Sequence, residues 1–177
     1  MKEQAGRNET EAERMRSGAA SAKIAGRKMH CTEFNVRRMT SRDTEAVSRL
    51  EAQIFSQPWS EQGFLDALAR EDVIFLVAES EGRTLGYCGM YCALDEGEIT
   101  NVAVDADFRG QGVGRRLMEV LLKEAQDDGI HTVILEVRVS NEAAIHLYQQ
   151  LGFEIQGVRK GFYEKPKEDG YVMTVQQ

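Results

Sequence analysis

The chain is short of nearly everything that marks a secreted, metal-rich or membrane-embedded protein. Its three cysteines stand at 31, 88 and 92, an odd number with no paired spacing, which excludes a disulfide framework. Cys88 and Cys92 share one apolar stretch without an accompanying histidine, so they read as small core residues and no metal site is expected. The three histidines, His30, His131 and His146, are scattered and give no triad or ligand spacing. No stretch of about 18 apolar residues occurs, so no membrane span is expected. The N-terminus lacks an apolar signal core, and a cytoplasmic location is the simple expectation. Positive charge is also in deficit: the formal net charge is −7, which weighs against a nucleic-acid partner.

What remains is a soluble domain of ordinary composition, 42% hydrophobic and 29% charged over 177 residues. Residues 1–30 have no aromatic residue and little aliphatic bulk. They cannot bury enough surface to offset ordering entropy, so a disordered extension is expected there. One domain is expected over 31–177, and Met29 is a candidate start for it.

Along that domain the pattern reads β-α-α-β-β-β-α-β-α-β-β. Phe34–Arg38 opens it as a strand. Thr40-Ser41-Arg42-Asp43 fits a capping box before Val47, Leu50 and Ile54 at helical spacing. Ser60 caps a second helix carrying Phe64, Leu65 and Leu68. Strands follow at Val73–Glu79, Thr84–Leu94 and Glu98–Val104, neighbouring and antiparallel. After Gly112, Val113, Leu117, Val120, Leu121 and Ala125 mark one helix face, ended by Gly129. Thr132–Val139 reads as a central strand apolar on both faces. Asn141 caps a helix with inner residues Ala144, Leu147, Tyr148 and Leu151, closed by Gly152. Phe153–Val158 and Tyr171–Val175 are the last strands, joined by a long, mobile connection through Gly161, Phe162 and Tyr163. The expected fold is α/β: a mixed, mostly antiparallel central sheet with helices on both faces.

The segment richest in chemistry is Val102-Ala103-Val104, a short link, then Arg109-Gly110-Gln111-Gly112-Val113-Gly114-Arg115. A strand runs into a glycine turn that opens a helix, so backbone N–H groups can wrap an anion. The glycines lack the dinucleotide spacing, and no Lys-Ser/Thr pair marks a nucleotide loop. Arg109 and Arg115 flank the turn with charge suited to a pyrophosphate. Glu136 sits among branched apolar residues in Val133–Val137. Glutamate is unusual there, and it reads either as a general base or as half of an ion pair with Arg138. Tyr148 on an apolar helix face is either a core tyrosine or a partner acid. Trp59, the only tryptophan, either seals the core edge or joins Phe55, Phe162 and Tyr163 as the walls of a groove.

These residues together resemble the GCN5-related N-acetyltransferase superfamily. Arg109, Gly112 and Gly114 fit its [Gln/Arg]-x-x-Gly-x-[Gly/Ala] signature. Gln57-Pro58-Trp59-Ser60, Asn101–Val104, Leu135-Glu136-Val137-Arg138-Val139-Ser140-Asn141, Leu147-Tyr148 and Leu151-Gly152-Phe153 are similar to its bacterial branch that acetylates the N-terminal alanine of ribosomal protein S18. The likeness spans roughly 34–176 and leaves residues 1–30 without a counterpart. It implies acetyl-CoA as cosubstrate, with no metal. Val102, Ala103 and Val104 would pair with the pantetheine arm, and Arg109, Gly110, Gln111, Gly112, Val113, Gly114 and Arg115 would hold the pyrophosphate. Asn141 would bond the arm, Glu136 would act as base and Tyr148 as acid. Phe55, Trp59, Phe162 and Tyr163 would take the substrate's N-terminal peptide. A monomer is the simplest expectation.

Residues 1–28 hold seven Lys/Arg and four Asp/Glu, which leaves the rest of the chain at a net −10. That balance is consistent with a basic protein as acceptor. A lysine side chain or small amine as acceptor, or an acyl-CoA sensor without turnover, are the competing readings.

Overall fold

A computed structural model describes residues 33–177. The expected extension at 1–30, with His30 and Cys31, lies outside the described residues. Seven strands form one sheet in the order β1-β2-β3-β4-β5-β7-β6. They are β1 Asn35–Arg38, β2 Val73–Ser80, β3 Arg83–Ala93, β4 Glu96–Val104, β5 Thr132–Arg138, β6 Glu154–Glu164 and β7 Lys167–Gln176. Among the described residues the α-helices are α1 Thr44–Ile54, α2 Glu61–Leu68, α3 Val113–Asp127 and α4 Glu142–Gln150. The expected element order and the helices on both faces are observed.

Val47, Leu50, Phe64 and Ala67 of α1 and α2 pack with Phe75, Val77, Tyr87 and Ala103 on one face of the sheet. Leu117, Leu121, Ala125 and Tyr148 of α3 and α4 pack with Leu76, Leu85, Val133, Leu135 and Met173 on the other. β2 and β3 are covered on both sides, so their sequences read as nearly continuous apolar runs. Met118 joins the buried face of α3, while Val120 is only partly covered.

Local chemistry sets the helix ends. Ser60 Oγ accepts from Gly63 N at 3.1 Å, and Asn141 Oδ1 accepts from Ala144 N at 3.3 Å. At the end of α3, Ile130 N donates to Ala125 O and Gly129 N to Gln126 O. At the end of α4, Phe153 N donates to Tyr148 O and Gly152 N to Gln149 O. In both cases the glycine takes the left-handed position that this reversal requires. The capping box is realised differently from expectation. Asp43 Oδ2 reaches back to Thr40 N at 2.8 Å, but α1 begins only at Thr44. Asp43 is also held by two guanidinium contacts from Arg37, which draw its carboxyl down to about 2.

Two other expectations need correction. β5 is central, but it is not apolar on both faces: Val133, Leu135 and Val137 are buried while Thr132, Ile134, Glu136 and Arg138 face a partly open side. The connection through Gly161, Phe162 and Tyr163 is not a long mobile loop. It belongs to β6, which pairs with β7 across a tight turn at Lys165-Pro166. Lys160–Phe162 bulge from the ladder between the pairs Arg159↔Gly170 and Tyr163↔Glu168. Gly161 N is tied to Asp169 Oδ1 at 2.7 Å, so even the bulge is anchored.

Candidate active site

The site begins where a ladder stops. β4 and β5 run parallel and pair only from Glu96↔Thr132 to Ile99↔Leu135. Both strands continue, β4 to Val104 and β5 to Arg138, without pairing. The β3–β4 register passes from Gly89↔Asn101 to Met90↔Ile99, so Thr100 is an extra residue on β4. A bulge of this kind bends a strand, and this one lies immediately beyond the last β4–β5 pair. The outcome is a wedge with one wall made of Thr100–Val104 backbone and the other of Glu136–Arg138. Val102, Ala103 and Val104 therefore lie where an extended amide-bearing chain could add to a strand edge.

The glycine turn lies at the wide end, beside Val104. Gly110 and Gly112 hold φ of 75° and 84°, and Gly112 precedes α3 without a side-chain cap. Arg116 N makes the first helical bond, to Gly112 O at 2.9 Å. The N–H groups of Val113, Gly114 and Arg115 precede it and have no acceptor among the described residues. A Cβ built on Gly114 would lie 3.5 Å from Val104 Cγ2 and 3.7 Å from Leu147 Cδ2. The turn, the end of β4 and helix α4 thus meet at one point.

The flanking cations are partly engaged. Arg109 Nε donates to Val104 O at 3.0 Å, pinning the end of β4. Arg115 Nη2 donates to Gln150 Oε1, and Gln150 in turn bonds His146 at 2.7 Å. Gln111 Nε2 donates to Asp107 O at 2.9 Å, bracing the turn from behind. Asn141 spends its oxygen on capping α4, and its NH2 has no acceptor among the described residues.

Gly112 offers a clean test of the turn. No atom lies within 4 Å of a Cβ built there, so the cost of a side chain is its positive φ and not a clash. Gly112→Ala should cost stability only about 1–2 kcal/mol. It should weaken binding of an anion such as pyrophosphate by roughly tenfold, because tilting the turn misaligns several N–H donors together. Calorimetric titration with pyrophosphate beside a thermal melt separates the two effects.

Glu136 keeps 13% of its side-chain surface and accepts from Arg159 Nη1 at 2.6 Å. The ion-pair partner is therefore Arg159 and not Arg138. Arg138 instead binds Glu168 Oε2 at 3.1 Å, Pro166 O and Lys165 O, and stacks over Tyr163 at 4.1 Å. Tyr148 is buried, with its ring 5.8 Å from Phe153, and burial holds its phenol proton well above the usual range. Tyr163 lies within electrostatic reach of Tyr148 on one side and Glu136 on the other. The base and acid candidates thus both feel one hairpin residue electrostatically, although they come from different elements.

The four aromatic residues do not line one groove. Phe55 and Trp59 pack on the α1–α2 core, with Trp59 5.4 Å from Phe64 and 6.1 Å from Phe75. Phe162 and Tyr163 pack edge to face at 5.0 Å on the hairpin, where Phe162 is 40% exposed. Beside Glu136 lies a cavity of about 470 Å³ lined by Tyr91, Glu96, Glu98, Ile134 and Arg159 among others. None of the four candidate aromatics lines it directly, but Tyr91 does, and Trp59 stacks on Tyr91 at 6.4 Å.

Sequence reasoning missed a buried carboxylate next to this loop. Glu51 is fully buried on α1 and accepts from Tyr87 Oη, from Asn101 Nδ2 at 3.2 Å and from Trp59 N at 3.3 Å. The signal was available: Glu51 falls between Val47 and Ile54 on the apolar face of α1, where a charge needs a partner.

The chain belongs to the Acetyltransferase (GNAT) family, whose model matches residues 44–153. The more particular likeness is to the ribosomal protein bS18-alanine N-acetyltransferase of Escherichia coli, 35% identical over 135 residues, covering 75% of this chain and 90% of that protein. The N-alpha-acetyltransferase RimI of Mycobacterium tuberculosis is 35% identical over 141 residues, covering 76% and 87%. The crystal structure of the Escherichia coli ribosomal-protein-S18-alanine N-acetyltransferase superposes with a TM-score of 0.75 at 32% identity, covering 81% of this chain and 94% of that one.

Proposed function

We propose that this chain transfers the acetyl group of acetyl-CoA to the N-terminal α-amine of a protein, with the N-terminal alanine of ribosomal protein S18 as its acceptor. The observation that carries this reading is the β4–β5 wedge, with Glu136 on one wall and the open N–H groups of α3 at its end. The names of the relatives support the acceptor.

When bound, acetyl-CoA supplies a thioester carbonyl to be attacked and a thiolate to leave. The residues fit that group. Val113, Gly114 and Arg115 N–H groups suit a pyrophosphate, and the free edge of Val102–Val104 suits the amides of an extended arm. Glu136 accepts a proton from the α-ammonium, freeing the lone pair that attacks. An α-amine with an ordinary pKa of about 7.7–8.0 asks little of a carboxylate base near neutrality, whereas a lysine at about 10.4 asks more. Tyr148 holds a phenol proton that can pass to the leaving sulfur. A backbone N–H at the end of β4 stabilises charge on the carbonyl oxygen. Bringing the two reactants together in the wedge supplies much of the acceleration.

The test is CoA release with acetyl-CoA and two short peptides, one beginning with alanine and one N-terminally blocked but containing lysine, with mass spectrometry to place the acetyl group. Acetyl on the α-amine of the first and none on the second is the expected result. Turnover of the lysine peptide moves the assignment to side-chain amines. CoA binding without turnover of either peptide leaves the sensor reading.

A further inference from the structure

We propose that Arg159 is a positioning residue that occupies the ammonium place on Glu136 until the acceptor's own cation displaces it. This rests on the function proposed above.

Two arginines lie near the site, and their holds differ. Arg138 is 26% exposed and donates to one carboxylate and two backbone carbonyls, so it is built into the hairpin turn. Arg159 is 56% exposed, and Glu136 is its one hydrogen-bonding partner among the described residues. The same arginine rests over the exposed ring of Phe162 at 4.6 Å. The arginine end of this single pair is exposed, so another cation can reach Glu136 and take its place. The guanidinium has somewhere to go. It lines the cavity beside Glu136 together with Glu96 and Glu98, neither of which has an ion-pair partner among the described residues.

The chemistry favours an arginine in this place. An ammonium and a guanidinium are both cations that donate to carboxylate oxygen, so each satisfies Glu136 in turn. Only the ammonium gives up a proton, because a guanidinium is not deprotonated in proteins. Arg159 therefore keeps Glu136 paired in the free protein and has no proton to give it.

The expected result is a split between KM and kcat. Arg159→Gln removes the competitor, so KM for an alanine-initiated peptide should fall roughly threefold, the size of a mostly exposed ion pair. Over the same comparison kcat should change by less than about twofold, since Glu136 faces the substrate alone in the bound state. Arg159→Lys should return KM towards the wild-type value. A rise in KM for Arg159→Gln would overturn the idea, because it would make Arg159 part of the peptide's binding surface.

A second measurement needs no turnover. In protein carrying ¹⁵N-arginine, with CoA present, the Arg159 Nε–H signal should move on adding the peptide or L-alaninamide, but not the N-acetylated peptide. No movement with either free amine overturns the inference. Acetylation of the peptide with an unmoved Arg159 signal would leave the proposed function standing without this residue. A moved signal without acetylation would do the reverse.

Discussion

Replacing Glu136 by glutamine should lower kcat by about 100-fold, the usual scale for losing a general base. The change should leave CoA affinity nearly intact. The side chain sits on β5, whereas the N–H groups that suit the cofactor come from α3 and the strand edge from β4. Glutamine preserves the volume and one acceptor oxygen for Arg159, so the hairpin should keep its position. Stopped-assay turnover on an alanine-initiated peptide, set beside calorimetric CoA binding, reads both quantities. Wild-type turnover in the variant would remove Glu136 from the mechanism, and the proton would then leave through water. Tyr148→Phe is the companion variant. It removes a single oxygen from a buried ring, so the packing against Phe153 survives and a loss of rate reports on the phenol.

Some of this site is written locally in the chain and some is not. The glycine turn, both glycine-ended helices and the caps at Ser60 and Asn141 are short-range devices, and the residues that build them lie within six positions of each other. They were legible for that reason. The part of strand β6 beyond Val158 was not, because it belongs to an outer strand with eight of its eleven residues exposed and no apolar alternation to announce it. Its bulge at Lys160–Phe162 further disguises the period, and Gly161 suggests a loop that the pairing with β7 overrides. The partner of Glu136 was misjudged on similar grounds. Arg138 is two residues away along β5, but Arg159 comes from β6, beyond β7 in the sheet. Gly170 of β7 stands opposite both arginines, so no side chain there separates β5 from β6 at that level. A contact of that kind depends on sheet order, which no local pattern records. The β4–β5 wedge is the same sort of feature. Its two walls are each visible as strands, yet the point at which pairing stops is a property of the bulge at Thr100.

Glu51→Ala should destabilise the protein by about 3–5 kcal/mol, a large fraction of the 5–15 kcal/mol that holds a domain together. Three donors converge on this carboxylate: the Tyr87 hydroxyl, the Asn101 amide and the Trp59 N–H. Alanine leaves all three in a dry interior, each at a cost of about 1–3 kcal/mol before relaxation. Glu51→Gln should cost much less, because it fills the space and still offers an oxygen. Burial pushes the Glu51 carboxyl up from its ordinary value of 4.5, against the opposing pull of the Tyr87 and Trp59 donors. The folded state therefore holds this proton more tightly than the unfolded chain. The resulting contribution is fully present below the unfolded pKa and is lost as pH rises through the folded one. Asp43 acts in the opposite sense: its carboxyl is drawn down to about 2 by Arg37, so its contribution is lost as pH falls from 3.8 towards that value. Comparing wild type with Glu51→Gln cancels the Asp43 effect, which both proteins share. Denaturant midpoints measured from about pH 4 to 8 should thus show the wild type losing ground to Glu51→Gln as pH rises. A constant difference would mean that folding leaves the Glu51 carboxyl at its ordinary value. A proton on Glu51 also has a natural acceptor. Asn101 Oδ1 is buried with no partner among the described residues, and a half-turn of that amide would present it to the protonated oxygen. Because Asn101 lies beside the bulge and Trp59 on the α1–α2 connection, the same carboxylate joins β4 to that connection. Its loss should be felt in the wedge before the rest of the sheet gives way.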